Sequence, residues 1–351
     1  MPSDEKLRVA VVGAGMIGEL HAKLISESPN AELSHVCSRS MERAKGLTDK
    51  YGGQPVADYR EMLGKGGLDA VSICTASGEH ADFGVAAAEA GKHVLVEKPI
   101  EINLERADRL IAACREHGVK LGVVFQLRFL DASEEARQAV RAGALGSPVM
   151  SDCYMKFHRP QDYYDNSRWK GTLAMDGGGA LINQAIHGLD LMLSMTSDIA
   201  AVKAYTGILA HKGIEVEDTC VASVRFVDGS LGVIQATTSV QPDFQQRIEL
   251  HGAKGTIILE GTEDTWIKLW ETEGEKREIE PRAPVEHSGA AAVLEEGGEG
   301  HRRQIEDFVA AVREGREPVV NGEEGRRSLA VVRAVYESAR SGGEVEVDRG
   351  R

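Results

Sequence analysis

The sequence predicts a doubly wound α/β domain followed by an α+β domain with a large, open-faced, mostly antiparallel sheet. Three observations support this prediction. The 351 residues correspond to roughly two domains at about 150 residues each. Through residue 125, short apolar runs alternate with helical patterns, as in a parallel sheet covered by helices. Beyond residue 200, strand candidates follow one another and alternate apolar with polar residues, which is typical of an antiparallel sheet with one open face.

The first domain is predicted over residues 1–125. The run from Leu7 to Val12 is apolar enough for a buried strand, and Ser40 and Asn103 are suitable N-cap residues for two helices. Because helices separate the strands, we expect a parallel sheet. The predicted strands are 7–12, 33–37, 68–75, 93–97 and 120–125, and the predicted helices are 16–26, 41–51, a segment ending at Ala90, and 104–117.

The second domain is predicted over residues 126–351. Residues 227–230, Val-Asp-Gly-Ser, have the composition of a hairpin turn between two alternating strands. Residues 281–298 lack periodicity and are rich in Ala, Glu, Gly and Pro, so we expect a mobile loop there. The predicted strands are 149–157, 202–206, 219–226, 231–238, 247–251, 256–260 and 266–270, and the predicted helices are 133–142, 180–195, 303–313 and 325–341.

Charge and cysteine usage limit the classes of partner. The 55 acidic residues exceed the 41 lysines and arginines, giving a net charge of −14, and no basic run stands out. Nucleic acid and anionic membranes are therefore poor partners. The five cysteines are widely spaced, without the spacing of a metal site, so we expect no metal and a reducing compartment. Because no signal-peptide pattern opens the chain, we expect a cytoplasmic protein.

A glycine-rich turn follows the first predicted strand. Gly13, Gly15 and Gly18 form the pattern GxGxxG, and Met16 and Ile17 would open the helix that follows. In this context the first glycine allows the tight turn, the second lets the backbone approach a pyrophosphate, and the third lets the helix pack on the strand. The phosphates would lie at the positive helix N-terminus. The sequence therefore predicts a Rossmann dinucleotide-binding domain.

The residues after the second strand bear on the choice of cofactor. An NAD-specific site places a carboxylate about 20 residues beyond the last glycine, where it binds the adenosine ribose. This chain has Ser38, Arg39 and Ser40 there instead. Arg39 and the serine hydroxyls are suited to a ribose 2′-phosphate. The sequence favours NADP, and NAD is the alternative if Arg39 stacks on the adenine or is solvated.

Four sequence blocks resemble the Gfo/Idh/MocA family of oxidoreductases across essentially the whole chain. They are GAGMIG at 13–18, TASGEH at 75–80, AGKHVLVEKP at 90–99 and GGGALINQAIHGLD at 177–190. The resemblance implies an NAD(P)-dependent oxidoreductase of sugars, polyols or nucleotide sugars, with the nicotinamide between the two domains. It also implies a homodimer or homotetramer built through the open sheet. The further cofactor-binding residues that it implies are Thr75, Ala76, His80, Glu97, Lys98 and Gln126.

Lys98 and His187 are the predicted proton-transfer residues. Oxidising a secondary alcohol needs a group that takes the hydroxyl proton and a positive neighbour for the developing alkoxide. Lys98 follows a strand at the carboxyl edge of the sheet, where open α/β folds bind ligands. An imidazole such as His187 titrates near neutral pH. Asn183, His187 and Asp190 are spaced to share one helix face.

Asn183 departs from the family pattern, because many relatives carry an aspartate there. A neutral amide can orient His187 or the substrate, but it cannot stabilise an imidazolium by charge. Because of this departure, we expect Lys98 to carry more of the proton transfer. Other donors that could replace the acid are Tyr163, Tyr164 and Lys156.

The loop after residue 156 concentrates residues suited to a carbohydrate. An apolar sugar face packs on an aromatic ring, while arginines bind the hydroxyl groups. A packing cluster or a subunit contact would explain the same composition. The predicted substrate residues are Lys156, Tyr163, Arg168, Trp169, His187 and His301, with Tyr164, Arg159 and Arg302 as further candidates.

Three functions remain open on the sequence. The first is an NADP-linked dehydrogenase or reductase for a sugar, cyclitol or sugar derivative. The second is a glycoside hydrolase that oxidises its substrate transiently with a retained NAD, as some members of the wider family do. The third is a non-catalytic cofactor sensor, against which the presence of both Lys98 and His187 argues.

Overall fold

The computed structural model describes residues 5–279 and 298–350, and these form two compact units. The first unit contains residues 5–126 and 298–326, and the second contains 127–279 and 327–350. The loop predicted over 281–298 lies, apart from Gly298, outside the described residues. None of the described helices combines the length and apolar character needed to cross a bilayer.

The first unit contains a six-stranded sheet in which all neighbouring strands are parallel, as predicted. The strand order β3-β2-β1-β4-β5-β6 reverses direction beside β1, so the turn after β1 opens at the sheet edge where such folds bind ligands. The strands are β1 (Leu7–Val12), β2 (Ala31–Cys37), β3 (Gln54–Val56), β4 (Ala70–Ile73), β5 (His93–Val96) and β6 (Leu121–Val123). The helices are α1 (Met16–Glu27), α2 (Met41–Tyr51), α3 (Tyr59–Gly64), α4 (His80–Glu89) and α5 (Leu104–Glu116).

Two short elements of this unit are absent from the sequence prediction. β3 has three residues and pairs with the end of β2, and α3 has six residues behind the N-cap Asp58, whose carboxylate accepts from Glu61 N. Neither is long enough to produce a periodic pattern. The first turn of the helix predicted to end at Ala90 is a short 3₁₀ segment, Ser77–Glu79, that precedes α4.

The first unit also contains a helix that follows most of the second unit in the sequence. The predicted boundary assigns all of 126–351 to the second domain, whereas the helix Glu299–Glu314 packs in the first unit. The buried side chain of Gln304 accepts from Phe125 N at 2.9 Å and donates to Val123 O at 2.6 Å. This helix therefore satisfies backbone groups at and beyond the end of β6, and the sequence pattern contains no signal for that long-range pairing.

The second unit contains a nine-stranded, mostly antiparallel sheet, as predicted. Its order is β14-β13-β12-β11-β7-β10-β9-β8-β15, and only β7 and β10 run parallel among these strands. The strands are β7 (Pro148–Lys156), β8 (Ile199–Gly207), β9 (Thr219–Phe226), β10 (Leu231–Thr237), β11 (Arg247–Gly252), β12 (Gly255–Glu260), β13 (Trp266–Thr272), β14 (Lys276–Arg277) and β15 (Val345–Glu346). The helices are α6 (Asp131–Arg141), α7 (Asp162–Asp165) and α8 (Ile186–Leu193), and Gly322–Ser341 is the last helix of the chain.

One face of this sheet exposes apolar side chains. Tyr205, Val221 and Leu231 come from three neighbouring strands, and Tyr205 is 75% exposed. On the other face, Cys153 and Ile234 are buried. This arrangement agrees with the predicted open face, while assembly through it stays a prediction.

The helix predicted over 180–195 consists of two parts. Ala180–Ala185 is π-helical, and α8 continues it as an α-helix. His187 and Asp190 are three residues apart within α8, whereas Asn183 lies in the π-helical part, where the angular spacing between residues differs. The buried Asp190 accepts from Arg128 Nε at 2.6 Å and Nη2 at 2.7 Å, and from Ser328 Oγ at 2.9 Å.

We expect Asp190→Ala to destabilise the protein by about 3–5 kcal/mol, because the change leaves the buried Arg128 guanidinium without this carboxylate. Urea denaturation followed by circular dichroism measures the loss. Glu344→Ala is the matched control, since Glu344 pairs with Arg225 at the surface and such a pair contributes less than about 1 kcal/mol. Equal losses for the two variants would contradict a supporting role for the buried pair.

Candidate active site

The glycine turn after β1 has the geometry of a dinucleotide cradle. Gly13 has φ of 106°, and a Cβ atom there would lie 2.5 Å from the carbonyl oxygen of Cys74. A Cβ at Gly18 would lie 1.9 Å from the carbonyl oxygen of Gly13. At Gly15, by contrast, a Cβ would meet no atom of the described chain within 4 Å. Packing within the protein therefore requires Gly13 and Gly18, whereas Gly15 leaves room for a pyrophosphate.

The neighbouring strand ends supply further polar groups at this edge. Thr75 follows β4, and its buried Oγ1 has no hydrogen-bond partner among the described residues, as expected of a group that awaits a ligand. Met16 is exposed at the start of α1, and Ile17 and Ala76 are half-buried. Together with the glycine turn, these features fit NAD(P). Gln126 is instead buried, with its backbone carbonyl against Gly300.

Arg39 lies in the short segment between β2 and α2, where the sequence places it. Its side chain is 93% exposed, and Nη1 lies 3.9 Å from Glu79 Oε1. Ser38 Oγ accepts from Ser40 N at 3.2 Å, and Ser40 Oγ caps α2 by accepting from Arg43 N. The hydroxyl hydrogens of both serines are left to donate to a ligand.

His80, a predicted cofactor residue, lies buried beneath this edge. Its Nδ1 lies 2.8 Å from Pro99 O, and its Nε2 lies 3.3 Å from Thr75 O. Burial lowers its pKa, so the neutral ring donates one N–H, and the shorter contact to Pro99 O is the better acceptor. The structure therefore gives His80 the role of tying the loop after β4 to the loop after β5.

Glu97 and Lys98 follow β5 directly. The Glu97 carboxylate is buried; its Oε1 lies 3.1 Å from His21 Nε2, and its Oε2 accepts from Lys98 N at 3.2 Å. His21 Nδ1 lies 2.7 Å from Ser72 Oγ. Burial alone would raise the pKa of Glu97, but His21, His301 and Lys98 outweigh it and lower the pKa to about 2. Glu97 is therefore an ion inside the protein, and Lys98 is half-buried beside it.

His301 belongs to this buried cluster. Only 3% of the residue is exposed, and its ring meets the His21 ring edge-on at a centroid distance of 5.9 Å. Burial lowers the pKa of His301 to about 4, although Glu97 opposes this shift, so its imidazole is neutral. The prediction of His301 as a substrate residue is corrected by its burial in the first unit. Arg302 is likewise engaged elsewhere, because it pairs with Glu27 of α1 at 2.9 Å.

In the second unit, the glycine run before the π-helical turn is required by close packing. A Cβ at Gly178 would lie 2.1 Å from Tyr336 Oη, and one at Gly179 would lie 1.8 Å from Glu217 O. The Glu217 carboxylate accepts from Gly179 N at 2.8 Å, Leu181 N at 2.9 Å and Tyr336 Oη at 2.9 Å. Burial raises the pKa of Glu217 to about 7, although these hydrogen bonds act to lower it. Glu217 thus anchors the segment that carries Asn183 and His187.

Asn183 lies in a network of polar side chains. Its Nδ2 donates to Asp176 Oδ1 at 2.6 Å, and its Oδ1 accepts from Gln184 Nε2 at 2.6 Å and from Tyr163 Oη at 3.4 Å. An aspartate at 183 would bring two carboxylates together at this distance. The buried Asp176 therefore favours a neutral amide over a carboxylate at position 183. His187 lies one turn later, half-buried in the first turn of α8.

Two cations lie near the ring of Tyr163. Lys170 Nζ is 3.6 Å and Arg159 Cζ is 5.7 Å from the ring centroid. Arg159 is buried and donates to Gln184 Oε1 at 2.8 Å. Burial raises the pKa of Tyr163, which is thus a neutral phenol at neutral pH. The cluster combines an aromatic ring, amide groups and positive charge.

The other residues predicted for the substrate are more scattered. Tyr164 is buried, with Oη 3.0 Å from Thr238 Oγ1, so it belongs to the core of the unit. Lys156 Nζ lies 5.3 Å from the centroid of the Tyr154 ring. Arg168 is exposed and Trp169 is half-buried. Tyr163 joins the Asn183 network through the hydrogen bond of 3.4 Å that its Oη donates to Asn183 Oδ1.

Sequence reasoning missed four residues that hold these groups in place. Three of them, Asp176, Gln184 and Glu217, surround Asn183 and the glycine run, and the fourth is His21. Asp176 directly precedes the matched block at 177–190 and Gln184 lies within it, so their position was a usable signal. His21 lies 76 residues from Glu97, and no local pattern connects the two.

Two family models match the chain. One, described as an oxidoreductase family with an NAD-binding Rossmann fold, matches residues 7–125, and the other, described as the GFO/IDH/MocA C-terminal domain, matches residues 133–258. Together they cover more than half of the sequence.

Individual relatives agree with these matches over nearly full length. The chain is 33% identical to the WlbA dehydrogenase from Bordetella pertussis, solved with NADH and UDP-GlcNAcA, with a TM-score of 0.86 and coverage of 98% of this chain and 99% of that one. It is 27% identical to myo-inositol 2-dehydrogenase of Thermotoga maritima, over 95% of this chain and 96% of the relative. It is 28% identical to 1,5-anhydro-D-fructose reductase of Ensifer adhaerens, over 98% and 99%.

Proposed function

Since the chain belongs to the Gfo/Idh/MocA family and is an oxidoreductase acting on CH–OH groups, we propose that it oxidises a secondary alcohol of an anionic sugar derivative with NADP. The single observation that carries the proposal is the position of Lys98. It follows β5 at the carboxyl edge of the sheet that also holds the glycine cradle. NAD(P)⁺ supplies the hydride acceptor when bound, and NAD is the alternative cofactor.

Lys98 is proposed to act at the reacting oxygen. As the C–H bond breaks and the hydride leaves, the hydroxyl proton passes to the Lys98 amine, and the carbonyl forms. In its protonated form the same side chain stabilises negative charge on the oxygen. The buried Glu97 and the His80 contact to Pro99 O hold the backbone on both sides of Lys98.

His187 and Asn183 are proposed to serve the proton path and the substrate orientation. The imidazole of His187 has two ring nitrogens that can accept and donate a proton, whereas Asn183 contributes an oriented amide. Asp176, Gln184 and Tyr163 fix the orientation of that amide through the hydrogen bonds described above.

The anionic character of the substrate is inferred from the charges around Tyr163. Arg159 and Lys170 place two positive charges near this ring, and Asp176 places one negative charge there, in a protein whose net charge is −14. A carboxylate or phosphate is the kind of group that arginine and lysine side chains bind. The similarity to WlbA, which was solved with the diphosphate-containing UDP-GlcNAcA, supports the same class.

We expect Lys98→Met to lower kcat by at least about 10²-fold, because the proton acceptor is lost, and His187→Ala to lower it by about 10²–10⁴-fold. Steady-state NAD(P)H formation measures both effects, and fluorescence titration of NADPH is expected to show unchanged binding. Lys65→Met removes an exposed lysine of the same unit as a control. Near-normal turnover of Lys98→Met would overturn its proposed role.

A substrate panel tests the chemical class. We expect kcat/KM to be higher for glucuronate or a UDP-linked glucuronate than for glucose or myo-inositol. Lys170→Met should raise KM at least about tenfold for the anionic compound, because a charge-assisted contact contributes about 1.5–3 kcal/mol, and change it little for a neutral one. Lys254→Met, which removes an exposed charge, is the control. The anionic class is rejected if neutral sugars are preferred. Reduced cofactor formed in step with product would separate a dehydrogenase from the hydrolase alternative.

Cofactor choice is tested at Arg39. Arg39→Ala should weaken NADP binding by about 1.5–3 kcal/mol and leave NAD binding nearly unchanged, because only NADP carries the 2′-phosphate. Ser38→Asp should shift the preference towards NAD. Binding constants from fluorescence titration measure both, with the exposed Arg60→Ala as control. Equal weakening of the two cofactors by Arg39→Ala would exclude this role.

A further inference from the structure

The π-helical turn that carries Asn183 is capped by a residue from a distant segment. A helical turn begins with N–H groups that have no partner within the turn, and a side chain next to them in sequence usually accepts their hydrogen bonds. Here the residue before the turn is Gly179, which has no side chain to do so. Glu217, two residues before β9, takes this role. The inference that follows rests on the proposed function, because it concerns how the segment with Asn183 and His187 is held.

Glu217 accepts hydrogen bonds from three consecutive N–H groups. Its Oε2 accepts from Gly179 N at 2.8 Å, its backbone oxygen from Ala180 N at 2.9 Å, and its Oε1 from Leu181 N at 2.9 Å. Within the turn, Asn183 N donates to Gly179 O at 2.9 Å. Glu217 therefore holds the residue to which the backbone of Asn183 is bonded.

Tyr336, on the last helix of the chain, completes this cap. Its hydroxyl donates to Glu217 Oε1 at 2.9 Å and accepts from Ile182 N at 3.4 Å. Burial and the neighbouring Glu217 hold the pKa of Tyr336 well above its ordinary value, so the hydroxyl keeps the proton that it donates. The N–H groups of residues 179–182 are thus all satisfied by Glu217 and Tyr336.

The cap is complete only when the Glu217 carboxyl group is ionised. Its two oxygens face two N–H donors and a hydroxyl that donates. A proton on the carboxyl group would meet one of these donors, so at least one contact would be lost or reversed. Burial raises the pKa of Glu217 to about 7, although the hydrogen bonds act to lower it. The turn therefore has its full cap above about pH 7 and a weaker cap below it.

The other titratable or charged groups around Glu217 come from α7, β9 and the last helix. They are Tyr164, Asp218, Cys220, Arg333 and Tyr336. Burial raises the pKa values of both tyrosines and of the cysteine, so these groups are neutral at neutral pH. At Asp218, backbone N–H groups outweigh burial and lower the pKa to about 2. Asp176, before the glycine run, faces Asn183 instead.

We propose that Glu217 is a positioning residue whose ionisation controls the order of the turn at residues 179–182 and, through it, the orientation of Asn183 and His187. With the carboxylate ionised, the start of the turn is fixed and Asn183 keeps its contacts to Asp176 and Gln184. With the carboxyl group neutral, N–H groups at the start of the turn are released and this orientation is lost. Use of the substrate therefore increases as the pH rises through the neutral range.

Amide hydrogen exchange tests the cap without any substrate. Glu217→Gln keeps the size of the side chain, but its amide presents N–H donors where a carboxylate oxygen accepts. At about pH 8, we expect the amides of residues 179–182 to exchange at least about tenfold faster in this variant than in the parent, because a hydrogen bond to a charged group is lost. At about pH 6 the two proteins should differ little, since Glu217 is then neutral in the parent. Equal protection at about pH 8 would overturn the proposal.

The pH dependence of kcat/KM tests whether the cap serves the reaction, with UDP-linked glucuronate and NADP as the substrates. We expect the ratio of the parent value to the Glu217→Gln value to rise from near one at about pH 6 to about tenfold or more at about pH 8. Ionisation of Lys98 or His187 affects both proteins alike and cancels in this ratio. A loss of the same size at both pH values would mean a merely structural role and would contradict control by ionisation.

Two further variants separate the effect of this carboxylate from general damage. Tyr336→Phe removes a hydrogen bond to the ionised form, so the pH midpoint of protection at residues 179–182 should move up by roughly one unit. Glu215→Gln is the matched control, because the exposed Glu215 accepts from Leu173 N at 2.8 Å and lies two residues away. It should leave both the exchange and the pH profile unchanged. If Glu217→Gln does not fold, Tyr336→Phe decides, and a midpoint that stays in place refutes the proposal.

Failure of this proposal can be told from failure of the proposed function. Amide exchange needs neither cofactor nor turnover, so it decides alone whether Glu217 controls the turn if UDP-linked glucuronate is not oxidised. If the compound is oxidised and Lys98→Met is inactive, but the kcat/KM ratio stays near one at every pH, the role of Glu217 in the reaction is wrong while the proposed function stands.

Discussion

The first unit contains a buried carboxylate, that of Glu97, which needs a positive charge beside it. His21 lies against Glu97 and is the main group that lowers the pKa of this buried carboxyl. His21 is in turn in contact with Ser72 and with the ring of His301. These four residues come from α1, two neighbouring strand ends and a helix from the far end of the chain. The same requirement thus fixes the packing of the sheet and the backbone position of Lys98.

The second unit meets a similar requirement by a different route. Glu217 is buried against backbone N–H groups and the Tyr336 hydroxyl rather than against a cation. Two glycines pack too closely for any side chain, and this closeness lets the carboxylate reach those N–H groups. A rigid start to the π-helical turn follows, and Asn183 inherits its orientation from it. In each unit, hydrogen bonds between a buried carboxylate and backbone N–H groups fix the position of a nearby functional residue.

Local pattern predicted much of the fold and part of the site. α2 and β9 span the predicted residues, and the glycine turn follows β1 as expected, because each depends on neighbours in sequence. The helix Glu299–Glu314 was assigned to the wrong unit, because the Gln304 contacts to Phe125 and Val123 join distant segments. The π-helical turn at Ala180–Ala185 was not predicted, because the sequence carries no signal for it. The spacing of residues in the sequence also gives no signal that His301 is buried.

The return of the helix Glu299–Glu314 to the first unit has a consequence for biosynthesis. The backbone groups around β6 are satisfied by Gln304, which is synthesised after eight of the nine strands of the second sheet, β15 being the exception. Gln304 lies 179 residues after Phe125 and 181 after Val123. At about 5–20 residues per second, the nascent first unit therefore waits about 9–36 s for this helix. During that interval its sixth strand has an uncovered flank. The order of synthesis therefore completes the packing of the first unit only after most of the second sheet has been made.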